Sequence, residues 1–398
     1  MAGEPVVLHP PFDIDGKEIA DRLLAAGPVA RVQLPGLALH AVTHNAELRR
    51  VLSDTETFVR GAEHWRAVRE GEVDRDAPLI RIILGSESML ARNGADHRRL
   101  RRLLQDKFSH RRIHDLRPRI AGITRDLLDD MGRAGGTVDV KAVFARPLPT
   151  RVLCELLGVT GDDDIRTMSD YTSRSFSGTG RDDVDEARAF IVKLIAEKRR
   201  DPGEDLISAL VSAHGDDRLS DMELIDNVRL LVVAGFETTM GALTNVVRAL
   251  LTHPDQYALL RSGRVGWDAV IEEVLRWDTS VALLPAVFTT REVELGGVTL
   301  PEGEALLLGY SAANRDPNAF AGADRLDFTR PASQNLVFGH HAHRCLGEPL
   351  ARAELGVALP MLFERFPDIA LTGERIRPTP SPMMNHPLEL KVRLTAGG

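Results

Sequence analysis

The stretch FGHHAHRCLG, residues 338–347, places three histidines next to Cys345, one of only two cysteines among the 398 residues. A structural zinc site normally has four ligands, supplied by paired cysteines or paired histidines. Cys345 lies only two residues beyond His343, which is too close for His340, His343 and Cys345 to bind one ion together, and no second cysteine is near in sequence. The spacing argues against zinc. A nucleophilic cysteine, activated by a base elsewhere in the chain, stays open.

A single thiolate fits another purpose better, the axial ligation of haem iron. Such a sulfur needs a loop with glycines, through which backbone N–H groups approach it and restrain its basicity. It also benefits from a nearby cation for the haem propionates. Phe338, Gly339, His343 and Gly347 supply these features around Cys345. The residues therefore favour haem, with Cys345 as the metal ligand.

The rest of the composition excludes several classes of function. A formal net charge of -8 argues against undirected binding to nucleic acid. Cys154 lies in an apolar helical pattern and is expected to be a buried core residue. The chain starts without a signal-peptide pattern and has no run of 18 apolar residues. We therefore expect a cytoplasmic protein with no membrane partner.

Hydrophobic periodicity predicts a mainly α-helical fold with a small β-sheet region. ARVQL and LALHAV flank a Pro-Gly turn and indicate an early hairpin. Residues 46–276 have mostly helical patterns, and Ser220 with Glu223 forms a capping box that opens a helix of about 33 residues. Beyond residue 276, REVELGGVTLPEGEALLLGY and PLELKVRL read as short strands. We expect one domain over residues 1–398.

The cysteine stretch resembles the haem-binding loop of the cytochrome P450 monooxygenases, Phe-Gly-x-Gly-x-His-x-Cys-x-Gly. Phe338, Gly339, His343, Cys345 and Gly347 match the pattern, while His341 replaces its second glycine. Histidine tolerates left-handed backbone better than most residues, so this departure concerns loop geometry more than haem ligation. The resemblance implies the P450 fold, haem b as cofactor, and a bacterial, soluble enzyme of actinobacterial type.

Three further motifs resemble the family. In EVLR, Glu273 and Arg276 form its Glu-x-x-Arg pair, and Arg330 matches the third member of a buried structural charge network. AGFETT, in the long helix, matches the oxygen-binding motif. There the resemblance implies that Ala234 and Gly235 leave room for dioxygen, that the Thr238 hydroxyl holds the bound oxygen, and that Glu237 relays protons from solvent. Thr238 is also placed to bond the carbonyl oxygen of Ala234. ANRDP, residues 313–317, matches as well.

The haem propionates are the next implied ligands. His97 and Arg101 lie four residues apart on one helix face, and the resemblance implies that they bind the propionates together with His343. The family often has a further propionate-binding arginine where this chain has Val287. His341 or Arg291 could substitute for it. We expect weaker haem retention than usual.

The resemblance implies an oxidoreductase that uses dioxygen and takes electrons from a redox partner. Residues 97–112 contain seven basic side chains against one acid and could dock an acidic electron donor of the ferredoxin type. The protein is expected to act as a monomer. Two alternatives remain: a P450-type enzyme that couples aromatic rings oxidatively without oxygen insertion, and a catalytically silent relative. The second is disfavoured because the thiol and the acid–alcohol pair are present.

Substrate contacts are expected from segments 65–90, 165–185 and 281–286, from the long helix and from a turn near the end of the chain. These segments are largely apolar, which favours a lipophilic, medium-sized substrate modified in secondary metabolism. The individual candidates are Trp65, Leu90, Leu231, Ala234, Val281, Leu284, Met383 and Met384.

Overall fold

The computed structural model describes residues 4–12, 14–74, 87–175, 182–213, 218–331 and 334–394. The α-helices in these residues are α1 Gly16–Ala25, α2 Asn45–Ser53, α3 Arg66–Arg69, α4 Gly94–Gln105, α5 His110–Ala134, α6 Pro147–Leu157, α7 Asp162–Ser175, α8 Asp182–Arg200, α9 Leu206–Val211, α10 Asp221–Thr252, α11 Pro254–Arg261, α12 Trp267–Trp277, α13 Tyr310–Ala313 and α14 Glu348–Arg365. The strands are β1 Val6–Val7, β2 Val29–Leu34, β3 Leu37–Val42, β4 Phe58–Val59, β5 Gly136–Asp139, β6 Leu284–Thr289, β7 Val293–Leu295, β8 Val298–Leu300, β9 Ala305–Leu308, β10 Ala370–Leu371 and β11 Lys391–Leu394.

The strands form three small sheets beside the helices. The largest has the order β1-β2-β3-β9-β6-β4, and two smaller ones have the orders β10-β11-β5 and β7-β8. The predicted hairpin is β2–β3, which pairs Val29 with Val42 and closes at Leu34 and Leu37. The segments after residue 276 that read as strands are β7, β8, β9 and β11. The mainly α-helical prediction is therefore confirmed, with β-structure in the places where alternation and turn residues indicated it.

The long helix α10 starts where its cap predicts. The Ser220 side chain accepts a hydrogen bond from the Glu223 N–H at 3.1 Å, and the Glu223 carboxylate accepts one from the Ser220 N–H at 2.8 Å. The helix has 32 residues, which gives a length of about 48 Å. It is long and apolar enough to cross a membrane, but 72% of its most apolar window is buried inside the molecule, as in a core helix.

The largest hydrophobic core surrounds α10, with α5, α6 and α14 packed in the same cluster. Cys154 on α6 belongs to this core, and its sulfur lies 3.7 Å from the sulfur of Met168. Burial raises the pKa of the Cys154 thiol to about 12. The core prediction for this cysteine is confirmed, and its environment opposes formation of a reactive thiolate.

Candidate haem-thiolate site

The loop before α14 holds Cys345 by backbone hydrogen bonds. Its N–H donates to the carbonyl oxygen of Phe338 at 2.7 Å, and the Gly339 N–H donates to the Leu336 oxygen at 2.8 Å. Gly339 has φ +72° and His341 has φ +56°. Both values lie in the left-handed region, which glycine adopts freely and histidine adopts better than β-branched residues. The expected backbone role of His341, at the position where the family has glycine, is confirmed.

The Cys345 sulfur is open to solvent on one side of this loop. The surrounding protein raises the pKa of the thiol by desolvation, while hydrogen bonding from the backbone N–H groups of Gly347 and Glu348 lowers it. Backbone donors that stabilise negative charge on sulfur are what a thiolate ligand of iron requires. Within the described residues, no group of three or more His, Cys, Asp or Glu side chains is placed to hold a metal ion.

The predicted propionate ligands come together beside the loop. The rings of His97, on α4, and His343 have centroids 4.2 Å apart, and both are close to Arg101 and Arg60. We call these four residues the cationic cluster. Burial, followed by the positive charges of Arg101 and Arg60, lowers the pKa of His97 to about 4. Burial, followed by Arg60, lowers the pKa of His343 to about 2. Both imidazoles are therefore neutral at pH 7.

The cationic cluster is suited to bind the edge of a haem that carries the two propionate carboxylates. It contains two guanidinium groups and two imidazole rings, and no carboxylate of the described residues is among their recorded electrostatic neighbours. Arg101 is close enough to the Cys345 thiol for the two to interact electrostatically. A ligand with two carboxylates and a metal centre would satisfy the cations and the sulfur at once. His97, Arg101, His343 and Cys345 thus have the chemistry that the resemblance implied for them.

Within AGFETT, the structure agrees with the prediction for Thr238 and disagrees with the prediction for Gly235. Ala234 is exposed on α10, and the Thr238 hydroxyl donates to its carbonyl oxygen at 2.8 Å, as predicted. Gly235 does not contribute space for dioxygen. A Cβ atom at this position would lie 3.4 Å from the Leu153 side chain of α6. The glycine therefore serves the packing of α10 on α6, and its assignment to the cofactor site is wrong.

Glu237, the predicted proton relay, is buried. Its carboxylate is 3.0 Å from Nε2 of His386. On the other side of the ring, His386 Nδ1 is 2.8 Å from the Thr379 hydroxyl, and Lys141 Nζ is 3.3 Å from that hydroxyl. Sequence reasoning missed His386 and Thr379, because a contact across 149 positions leaves no local pattern.

The Glu-x-x-Arg prediction is confirmed in full. Arg276 is completely buried and donates two hydrogen bonds to Glu273, at 2.7 and 2.8 Å. Arg330 Nε donates to the same carboxylate at 3.1 Å. Arg276 also donates to the carbonyl oxygen of Asn314, whose side chain accepts from the Leu336 N–H at 2.7 Å. Asn314, part of ANRDP, thereby connects the charge network to the start of the cysteine loop.

The apolar candidates near the C-terminus form one wall. Val281 pairs with Met384 in a β-bridge, and the N–H groups of Ala282 and Leu283 donate to the Met383 oxygen at 2.7 and 3.3 Å. Leu284, which follows at the start of β6, is half-buried, as are Val281 and Met383, whereas Met384 is buried. On other elements, Leu90 is half-buried in a short 3-10 helix, and Leu231 is buried on α10 one turn before Ala234.

One substrate candidate is wrong. Trp65 is 3% exposed and belongs to the core beneath the large sheet, where it stacks on Phe288 with ring centroids 5.9 Å apart. A tryptophan ahead of a short polar helix looks accessible in sequence, but here it fills the space between the sheet and α3. Parts of two expected substrate segments, residues 75–86 and 176–181, lie outside the described residues.

Two residues, His341 and Arg291, were expected to substitute for the arginine missing at position 287, and the prediction for Arg291 is wrong. Val287 is buried in the core beside β9, so no cation stands at this position of β6. Arg291 donates to the Thr57 hydroxyl at 2.7 Å and interacts with Asp54, which commits it to the loop after α2. His341 remains a neighbour of His343. A nearer cation, Arg60, was not considered from sequence.

Comparison with known proteins agrees with the site. The cytochrome P450 family model matches residues 267–394. Mycinamicin IV hydroxylase/epoxidase of Micromonospora griseorubida is 37% identical, over 96% of this chain and 98% of that enzyme. The 2-hydroxy-5-methyl-1-naphthoate 7-hydroxylase of Streptomyces carzinostaticus is 36% identical, over 89% and 88%. The structure of CYP154C4 from Streptomyces sp. W2061 is 38% identical and covers 100% of both chains with a TM-score of 0.95. The chain therefore belongs to the cytochrome P450 family of haem-dependent monooxygenases.

Proposed function

We propose that this monooxygenase hydroxylates or epoxidises a lipophilic, medium-sized secondary metabolite. The observation that carries the proposal is the apolar wall made by Val281, Leu284 and Met383, whose side chains are half-buried. Val281 and Leu284 pack against the core beside the large sheet. Ser280, the residue before the wall, lies close to α10, where a Cβ atom at Gly241 would be 3.1 Å from it. The related enzymes named above act on a naphthoate and on mycinamicin IV, and both names support an organic substrate with a large carbon skeleton.

In this proposal each site residue has a role that follows from its position. Cys345 holds the iron through its sulfur, and His97, Arg101 and His343 hold the propionates. Haem b, when bound, supplies the reductive activation of dioxygen. The Thr238 hydroxyl holds an oxygen atom beside the exposed Ala234 face of α10. Glu237 passes protons towards that face, and His386 with Thr379 connects its buried carboxylate to the protein surface.

The electron donor is proposed to be an acidic ferredoxin-type protein that docks on the basic residues of α4 and α5. Arg98, Arg111 and Arg112 are exposed there. Arg99 forms an ion pair with Glu223 and so contributes less net charge, while Lys107 donates to the carbonyl oxygen of Glu204 at 3.0 Å. The chain is proposed to work as a monomer and a single domain in the cytoplasm.

The carbon-monoxide difference spectrum of the reduced protein tests the haem-thiolate assignment. The wild type should show the red-shifted Soret band that a thiolate ligand produces, and Cys345→Ser should lose it. The Cys154→Ser variant is the matched control, because its sulfur is buried in the core, and it should keep the band. A retained band in the Cys345 variant would show that another residue ligates the iron.

A second measurement addresses the substrate class. Titrating the ferric protein with lipophilic compounds, among them macrolides, steroids, terpenoids and small peptides, should identify ligands that shift the iron spin state. The product formed from such a ligand should gain the mass of one oxygen atom. A product that has lost hydrogen without gaining oxygen would instead assign the enzyme to oxidative coupling.

A further inference from the structure

Arg60 is a buried arginine without a counter-ion among the described residues. It follows β4, and only 4% of its surface is exposed. Nη1 donates to the carbonyl oxygen of Ala286 at 3.2 Å, whereas Nε is buried and has no hydrogen-bond partner. Burying a guanidinium that is only partly bonded is unfavourable unless an anion accompanies it. The surroundings of Arg60 therefore indicate an anionic ligand from outside the polypeptide.

The backbone of Arg60 is fixed to the helix that carries the predicted propionate ligands. Its N–H donates to Asn93 Oδ1 at 2.8 Å, and its carbonyl oxygen accepts from Asn93 Nδ2 at 2.7 Å. Asn93 is the N-cap residue of α4, which bears His97 and Arg101. This two-point attachment fixes the Arg60 backbone relative to the helix that bears those side chains.

The electrostatic surroundings of Arg60 also indicate an anionic ligand. Asn93, to which Arg60 is bonded, lies four residues before His97, and the His97 and His343 rings have centroids 4.2 Å apart. Arg60 is an electrostatic neighbour of both rings. The buried Tyr310 hydroxyl is its other recorded electrostatic neighbour. A carboxylate between Arg60 and the two imidazoles would compensate the guanidinium and accept hydrogen bonds from the rings.

Strand register explains why this cation is found here. β4 pairs with β6 so that Phe58 faces Thr289 and Val59 faces Phe288. Continuing the pairing by one residue places Arg60 beside Val287. A guanidinium at Arg60 therefore reaches the same region from the neighbouring strand as one attached at position 287.

We propose that Arg60 binds a haem propionate and takes over the function of the arginine that is missing at Val287. The inference rests on the haem site of the proposed function and extends it to a new residue. It replaces the expectation of weak haem retention, because Arg60 supplies the positive charge that residue 287 lacks. Adding an arginine at position 287 to the wild type should consequently leave haem occupancy unchanged.

The test compares Arg60→Gln with Arg291→Gln in the holoprotein. Ferric protein is mixed with excess apomyoglobin, and haem transfer is followed by absorbance. The Arg60 variant should lose haem roughly ten- to a hundred-fold faster, as expected when a hydrogen bond to a charged group is removed. The Arg291 variant should match the wild type, since that arginine is bonded to Thr57. Equal rates for wild type and Arg60→Gln would overturn the proposal.

Two further arms separate a binding role from a structural one. The double variant Arg60→Gln/Val287→Arg restores the charge from β6 and should recover most of the lost retention. Reconstitution with haem dimethyl ester removes the propionate charge, and this haem should leave wild type and Arg60→Gln at the same rate. A variant that loses the ester faster than wild type does would show that Arg60 only supports the fold.

Different experimental results would contradict the inference and the proposed function. A wild-type protein that binds no haem would overturn the haem-thiolate function itself. Normal haem binding with no dependence on Arg60 would overturn the inference alone. If the glutamine variant does not fold, Arg60→Lys replaces it, and the proposal requires faster loss of native haem with unchanged loss of the ester.

Discussion

Thr238 and Glu237 are adjacent in sequence but lie in different surroundings. The Thr238 hydroxyl is half-buried and bonded to the carbonyl of Ala234, on the open side of α10. Glu237 is buried on the other side and bonded to His386. A helical rotation of about 100° between neighbours separates the hydroxyl that is proposed to hold oxygen from the carboxylate that is proposed to carry protons. The alcohol and the acid can thus be tested separately.

Thr238→Ala should divert reduced oxygen to hydrogen peroxide. The alanine removes the hydroxyl that holds oxygen beside Ala234, while its methyl group keeps the helix intact. We expect NADPH consumption, supplied through a redox partner, to continue with product yield reduced by roughly a hundred-fold or more, the usual contribution of one positioned acid–base group. Thr239→Ala, one residue along the same helix, is the control. Full coupling of electrons to product in Thr238→Ala would contradict the role.

Glu354 on α14 is a buried carboxyl group whose Oε2 has no hydrogen-bond partner. Burial raises its pKa from 4.5 to about 8. Between these values the folded protein binds more protons at this residue than the unfolded chain does. The stability contributed by the protonated group is therefore lost as the pH rises from about 4.5 to about 8.

Glu354→Gln should remove this loss, because the amide is neutral at every pH and nearly the same size. We expect the variant to be more stable than the wild type at pH 8, by at most about 1.4 kcal/mol for each unit of the pKa shift. Near pH 5 the two proteins should differ little. Urea unfolding at both pH values is the measurement, and parallel pH profiles for the two proteins would contradict it.

Among the elements, α10 has two glycines in different packing environments. A Cβ at Gly241 would lie 2.9 Å from His386 Cδ2 and 3.1 Å from Ser280, whereas one at Gly235 would lie 3.4 Å from Leu153. The absence of a side chain at Gly241 gives the imidazole of His386 its place against the helix, next to Glu237. A glycine is needed at position 241 because His386 occupies the space that a side chain there would fill.

Gly241→Ala should destabilise the protein and displace His386. Overpacking typically costs about 1–3 kcal/mol, which outweighs the gain of about 1 kcal/mol in helix propensity. Gly235→Ala is the matched control on the same helix and should be neutral or slightly stabilising, since 3.4 Å is an ordinary contact. Denaturant unfolding of both variants measures the difference. Equal free energies of unfolding would show that the His386 contact does not restrict position 241.

The ends of α10, the β2–β3 hairpin and the Glu273–Arg276 pair could all be predicted from sequence. Each depends on residues a few positions apart, so capping, alternation and helical spacing record them directly. His386, Asn314 and Arg60 could not be found in this way, because their partners come from distant segments. Trp65 and Gly235 were misjudged for the same reason, since the side chain that each packs against lies on another element.

At the scale of the whole molecule, the basic residues of α4 and α5 stand out against a net charge of -8. Arg98, Arg111 and Arg112 are exposed within a short distance along the chain. Oppositely charged surfaces mainly accelerate encounter between partners, and salt weakens this effect. The surface is therefore expected to affect the rate of reduction and to leave the haem pocket unchanged.

Arg111→Glu/Arg112→Glu should slow reduction by an acidic ferredoxin, by roughly ten-fold at low salt and little at high salt. Stopped-flow reduction under carbon monoxide reports the rate. Arg133→Glu, about 33 Å further along α5, is the control and should reduce normally. The carbon-monoxide spectrum should be the same in all three proteins. A salt-independent defect, or an equal defect in the control, would contradict docking at this surface.

The bond between Asn93 and Arg60 has a consequence for how ligand residues are inferred among relatives. A position-by-position alignment assigns a missing propionate ligand to Val287, although in the proposal above Arg60 supplies it from the end of an adjacent strand. Asn93 joins that strand to α4 and so links Arg60 to the helix that carries His97 and Arg101. Conservation of the amide–arginine pair, and not of one column, would then mark the enzymes that hold their porphyrin in this manner.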